Sequence, residues 1–154
     1  MALPKPDFRL LFDCVLETEP ARVIGETPDG LRRVIQITGG WFDGPSMSGE
    51  VLPGGSDWQL IRPNGVVSLE SRYMLQTGDD ALIFVRNRGV RVADPEIGAK
   101  LDNGEDVDPS LYRFRTTPTF ETGAPDYLWL NSIVTIASAA RRPRRAELAF
   151  YEVL

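Results

Sequence analysis

The chain has 154 residues, 42% of them hydrophobic, which fits a single domain spanning residues 1–154 with a real core rather than two small domains. Its formal net charge of −5 argues against nucleic acid as a partner, because phosphate binding needs a concentrated positive field. One cysteine and no histidine exclude an internal disulfide, a Cys-rich or imidazole-based metal site, and the Ser-His-Asp and Cys-His catalytic arrangements.

The N-terminal "MALPKPDFRL" has no basic region followed by an apolar stretch, and no apolar run approaches membrane-spanning length, so a cytoplasmic protein without membrane contact is expected. "DFRLLFDCVLE" alternates: Phe8, Leu10, Phe12, Cys14 and Leu16 share one face, against Arg9, Asp13 and Glu17. This is a long strand, and Cys14 reads as a packed core thiol. "PDG" at 28–30 is a turn, and "LRRVIQITGG" follows as a hairpin strand. "GPSMSGEVLPGG" supplies another strand. The segment "SDWQLIRPNGVVSLESRYMLQTGDDALIFVRNRG" holds three more, with turns at "NG" (64–65) and "TGDD" (77–80).

Residues 93–110, "ADPEIGAKLDNGEDVDPS", are polar, acidic and rich in proline and glycine. They read as one long loop with a short helical turn around Pro95 to Lys100, and they lack the spacing of an EF-hand calcium loop. "LYRFRTTPTFET", "YLWLNSIVTIASAA" and "RAELAFYEVL" are three further strands, and "RRPRR" (141–145) is a solvated turn between the last two. About nine strands joined mostly by tight turns predict an all-β fold, a single antiparallel β-barrel with a central cavity, with a sandwich as the alternative.

Several runs bear a family resemblance: "GPSMSGEVLPGGSDWQLIRPNG", "LESRYMLQTGDD", "FRTTPTFETGAPDYLWLN" and the closing "ELAFYEVL". Together they resemble the DUF3237 family, also called UPF0311, over nearly the whole chain from Phe8 to Leu154. The resemblance implies a β-barrel with a central cavity, often assembled into oligomers, and it implies no particular activity. A homo-oligomer is therefore expected, and the long strand from Phe8 to Glu17, if it lies at a sheet edge, would need covering.

A strand reading of "DYLWLN" sets Tyr127, Trp129 and Asn131 on one face, with Leu128, Leu130 and Ser132 on the other. Both faces are mostly apolar, as a barrel with an occupied lumen would require. Alternation also pairs Trp58 with Leu60 and Arg62 against Asp57, Gln59 and Ile61, and Glu70 with Arg72 against Ser71 and Tyr73. It does not say which face points inward. The candidate pocket combines Trp58, Arg62, Tyr127, Trp129 and Asn131 as ligand contacts with Asp57, Glu70 and Arg72 as the reactive groups. In it, Arg72 would hold a carboxylate or enolate, Tyr127 and Asn131 would donate to a carbonyl oxygen, and Asp57 or Glu70 would move a proton.

That residue set suits a cofactor-independent lyase, isomerase or cyclase acting on a small apolar or aromatic carbonyl compound. A non-catalytic carrier with a lipocalin-like cavity fits the same residues, and a structural subunit that mainly builds an oligomer stands behind both. No cofactor or metal site is expected.

Overall fold

The computed structural model describes residues 1–154 as ten strands, one α-helix and two 3₁₀ segments. The strands are β1 (Phe8–Thr18), β2 (Arg22–Thr27), β3 (Gly30–Asp43), β4 (Ser48–Val51), β5 (Gly55–Ile61), β6 (Val67–Thr77), β7 (Leu82–Val92), β8 (Arg113–Glu121), β9 (Val134–Arg142) and β10 (Arg145–Val153). Helix α1 (Pro95–Asp102) and a 3₁₀ turn at Pro109–Leu111 lie between β7 and β8, and a second 3₁₀ segment, Pro125–Ser132, lies between β8 and β9.

Consecutive strands from β6 to β10 pair antiparallel, β10 pairs β1, and β1 pairs β3. Since β3 also pairs β5, and β5 pairs β6, eight strands close into a barrel. The other two stand outside that circuit: β2 extends the β3 edge, and β4 bridges β3 and β6 beyond the start of β5. Closure uses glycines where a side chain has no room. A Cβ on Gly40, whose φ is +135°, would sit 1.9 Å from the Val15 carbonyl oxygen, and one on Gly49 would sit 2.0 Å from that of Gln76.

Alternation is cleanest on β6 and β8. On β6, Val67, Leu69, Ser71, Tyr73, Leu75 and Thr77 are buried, while Arg72 and Met74 between them are exposed. The β5–β6 turn forms as "NG" predicts, with Gly65 at φ +85° and Asn64 Oδ1 accepting from the Val66 amide at 3.1 Å. Two readings of the sequence are corrected here. β1 is no edge, because it pairs on both sides. "DYLWLN" is 3₁₀ helix rather than strand, since Pro125 starts a helical turn and the Asn131 side chain bonds backbone groups that a ladder would otherwise take.

The two ends of the barrel differ. At one end Phe12 stacks on Phe150 at 4.6 Å and meets Phe42 and Phe120 edge-on at 5.2 and 5.9 Å. Leu130 from the 3₁₀ segment, 1% exposed, joins this cluster and plugs that end. The other end is polar and lies beneath α1, which buries Leu101 and carries Asp102 toward two strand arginines. No helix is long and apolar enough to cross a membrane.

Candidate functional site in the barrel lumen

Asp57 points into the barrel from β5. Its register partners are Ile35 on β3 and Ser71 on β6, and Ser71 in turn faces Asn87 on β7, so these side chains form one layer of the lumen. Gln59 Nε2 donates to Asp57 Oδ2 at 2.7 Å, and Ser71 Oγ donates to Asp57 Oδ1 at 2.8 Å. The surface that Asp57 retains borders two internal voids of about 20 and 30 Å³. Burial pushes its carboxyl above the usual aspartate range, against the opposing pull of Gln59, Ser71 and the more distant Arg141 and Arg33.

Three buried polar atoms have no hydrogen-bond partner within the protein: Tyr73 Oη, Asn87 Oδ1 and Thr116 Oγ1. Their residues are at most 3% exposed, and each unpaired group costs on the order of 1–3 kcal/mol. Asn87 and Thr116 line the same void as Asp57, and Tyr73, next along the inward face of β6, feels the charge of Asp57. Burial raises the Tyr73 hydroxyl and the Cys14 thiol well above their ordinary values, so both stay protonated at neutral pH. Cys14 is a core thiol, as its apolar neighbours predict.

Above this layer the lumen opens into a cavity of about 330 Å³ under α1, shared by Arg33, Gln59, Arg91, Asp102 and Arg141. Arg33 Nε donates to Gln59 Oε1 at 2.7 Å, which links the arginines to Asp57 through one amide. Arg141 belongs to the "RRPRR" run; Pro143 and Arg144 form the exposed turn, but Arg141 is half-buried and turned inward.

The expected residues divide between the two faces of the wall. Asp57 alone reaches the lumen. Glu70 and Arg72 lie on the outer face of β6, 3.1 Å apart, with Arg88 of β7 at 3.6 Å from Glu70. Arg72 and Arg88 keep the Glu70 carboxyl below its ordinary value. Trp58, 46% exposed, sits over Glu70 on the same face and borders a shallow open groove of about 430 Å³. Arg62 is exposed beyond β5 and donates to Ser68 at 3.3 Å. Tyr127 donates to Asp79 at 3.0 Å on the surface, and Trp129 edges a groove with Arg9 and Pro45 at the aromatic end. Asn131 is a structural clamp: Oδ1 accepts from the Thr122 amide, and Nδ2 donates to the Thr122 and Leu128 carbonyls, all within 3.0 Å. Asp57 and Arg72 cannot share a face, because Asp57 opposes Ser71 in the ladder.

Sequence reasoning missed Ser71, Asn87, Arg91, Thr116 and Arg141. The parity of β6 held part of the signal. Once Asp57 is inward, Ser71 and Tyr73 follow and Glu70 and Arg72 are excluded.

A model of the DUF3237 family, described as a protein of unknown function, matches residues 6–153. The chain is 47% identical over 130 residues to a UPF0311 protein of Rhodopseudomonas palustris, covering 84% of this chain and 85% of that one. The crystal structure of a conserved protein of unknown function from the same species superposes with a TM-score of 0.96 at 40% identity, over 99% of this chain and 100% of the other. A beta-barrel like protein from Acinetobacter baumannii superposes with a TM-score of 0.87 at 37% identity, over 99% of both. More distantly, the chain is 24% identical over 147 residues, 96% of this chain and 81% of the other, to a hydroalkoxylation enzyme of Penicillium herquei.

Proposed function

Because the chain belongs to the DUF3237 family and is distantly similar to a protein named for hydroalkoxylation, we propose that it is a cofactor-independent lyase, isomerase or cyclase. It moves a proton on a small apolar or aromatic carbonyl compound held in the lumen, and Asp57 carries that proton. One observation supports this above the others: a carboxyl raised by burial is held by Gln59 and Ser71 among buried polar atoms that have no partner of their own.

A carboxyl raised above its ordinary range by burial is better suited to take a proton and return it than one in water. As carboxylate, Asp57 removes a proton from the carbon beside the carbonyl, and the electron pair moves onto the carbonyl oxygen. The Tyr73 hydroxyl stabilises that oxygen, the role first expected of Arg72, Tyr127 and Asn131. Return of the proton to another carbon completes an isomerisation and leaves Asp57 as it began. Addition of a hydroxyl across a double bond balances in the same way. The carboxylic acid gives its proton to one carbon, oxygen bonds the other, and the proton lost from oxygen restores the acid. We assign this work to the cytoplasm, in keeping with a single buried thiol that forms no disulfide.

Deuterium wash-in tests the class of reaction without knowledge of the natural substrate. Acetophenone in D₂O, followed by proton NMR, should lose methyl protons faster with the protein than with buffer, and Asp57→Asn should return the rate to that of buffer while the circular dichroism is unchanged. Wash-in at the buffer rate with the native chain, or an equal rate with Asp57→Asn, overturns the assignment. The carrier alternative has an observation of its own, since donors clamp both Asp57 oxygens as they would a fixed anchor. A carrier binds the ketone and never exchanges it.

A further inference from the structure

Charge at the mouth of the lumen does not balance. Arg91 and Arg33, with side chains 6% and 11% exposed, share a single carboxylate oxygen, Asp102 Oδ1, at 3.0 and 3.2 Å. Arg141, half-buried beside them, donates Nη2 to Thr18 Oγ1 at 3.1 Å and has no acidic partner. The only carboxylate deeper in is Asp57, already held by Gln59 and Ser71. Three guanidinium groups therefore meet two carboxylates in a wall that water reaches poorly, within a chain whose net charge is −5.

The rim does not correct the surplus. Arg142 is committed to Asp106 at 3.0 Å and Glu147 at 3.4 Å, and Glu19 lies 4.0 Å from Arg22. Glu105 and Arg144, the remaining charges around the cavity, offset one another. A half-buried guanidinium with no acidic partner is poorly compensated, and Arg141 stays charged at any physiological pH, so an anion beside it is favoured. Inward from Arg141 the wall mixes apolar Leu69, Phe114, Ala146 and Leu148 with polar Asp57, Ser71, Asn87 and Thr116.

We propose that the mouth of the barrel is a subsite for an organic monoanion, whose carboxylate pairs with Arg141 and Arg91 while its apolar or aromatic body lies in the cavity of about 330 Å³ that leads toward Asp57. The inference rests on the lumen being the reactive site and adds what the proton-transfer chemistry leaves open, the charge of the substrate. A planar carboxylate matches the guanidinium fork, and a single negative charge matches the surplus. Asp102 is then an internal competitor: it occupies Arg33 and Arg91 from α1, half-exposed, where an incoming carboxylate displaces it.

Isothermal titration calorimetry of the full chain at low salt, with benzoate and its neutral isostere benzamide, tests this. Benzoate should bind about tenfold or more tightly than benzamide, and Arg141→Gln should abolish that preference. Asp102→Asn should tighten benzoate severalfold, a gain that a damaged fold cannot produce. Equal binding of the two probes, no binding of benzoate at millimolar concentration, or weaker benzoate binding by Asp102→Asn overturns the subsite. Asp57→Asn keeps the two proposals apart, because it should abolish deuterium wash-in yet hold benzoate at least as tightly as the native chain. Wash-in that survives Asp57→Asn refutes the proton carrier and leaves the subsite standing.

Discussion

Asp57 and Glu70 sit on neighbouring strands with the same chemical group and opposite surroundings. Burial raises the Asp57 carboxyl, whereas Arg72 and Arg88 lower that of Glu70 in the open. The signs have different consequences. Above the ordinary aspartate pKa of about 4, and up to its own raised value, the folded chain holds the Asp57 proton more tightly than the unfolded chain does, so stability falls as pH rises through that window. Asn cannot titrate, so the thermal midpoint of the native chain measured against that of Asp57→Asn should decline from about pH 4 toward neutrality. A gap that does not change with pH would place the Asp57 carboxyl in water. Glu70→Gln, by contrast, should change unfolding free energy by no more than about 0.5 kcal/mol in urea titrations, because exposed ion pairs contribute little. Asn131→Ala should cost about 1–2 kcal/mol in the same titration, through loss of its three backbone hydrogen bonds. Sequence gave a reason to single out Asn131, an amide among apolar neighbours that something must satisfy. Its partners turn out to be the local backbone, which a strand reading had hidden.

At the scale of elements, the strands and their turns are legible because alternation and turn chemistry act locally. β6 carries a clean period-2 pattern, whereas on β1 a bulge at Leu11 breaks the expected shared face, burying Leu11 beside Phe12 and leaving Phe8 exposed; "NG" and "TGDD" close the hairpins they predict. The helical turn in the acidic segment forms over Pro95–Asp102, with Pro95 at its start and Lys100 in its last turn. β2, short and mostly exposed, has no such pattern to read. The 3₁₀ segment escaped because "DYLWLN" alternates by residue type while its backbone turns. The two leucines decide between the geometries: on a strand, Leu128 and Leu130 share a face and respond alike. Here Leu130 is 1% exposed and Leu128 is 52% exposed. Leu130→Ala should therefore cost about 2–5 kcal/mol in urea unfolding, and Leu128→Ala no more than about 0.5 kcal/mol. Equal costs would restore the strand.

Over the whole molecule, the barrel was legible from strand count and turn spacing, and the contents of its lumen were not. Arg33, Arg91 and Arg141 come from β3, β7 and β9, and nothing in their local sequence links them before closure brings the strands round. Parity alone left each strand two choices of face, and the face chosen for β6 put Glu70 and Arg72 in a pocket that Ser71 and Tyr73 occupy. The closed circuit also produces the polarity of the barrel, one end sealed by Phe12 and its aromatic neighbours and the other open beneath α1. Everything functional then depends on whether the carboxyl in the middle layer is held away from water. The most direct measurement is a ¹³C NMR titration of the Asp57 carboxyl in the native chain and in Arg141→Gln. Asp57 should titrate above the ordinary aspartate value of about 3.9, and higher still once the Arg141 charge is removed. A midpoint at or below the ordinary value, unmoved by Arg141→Gln, would contradict a lumen built to hold a proton.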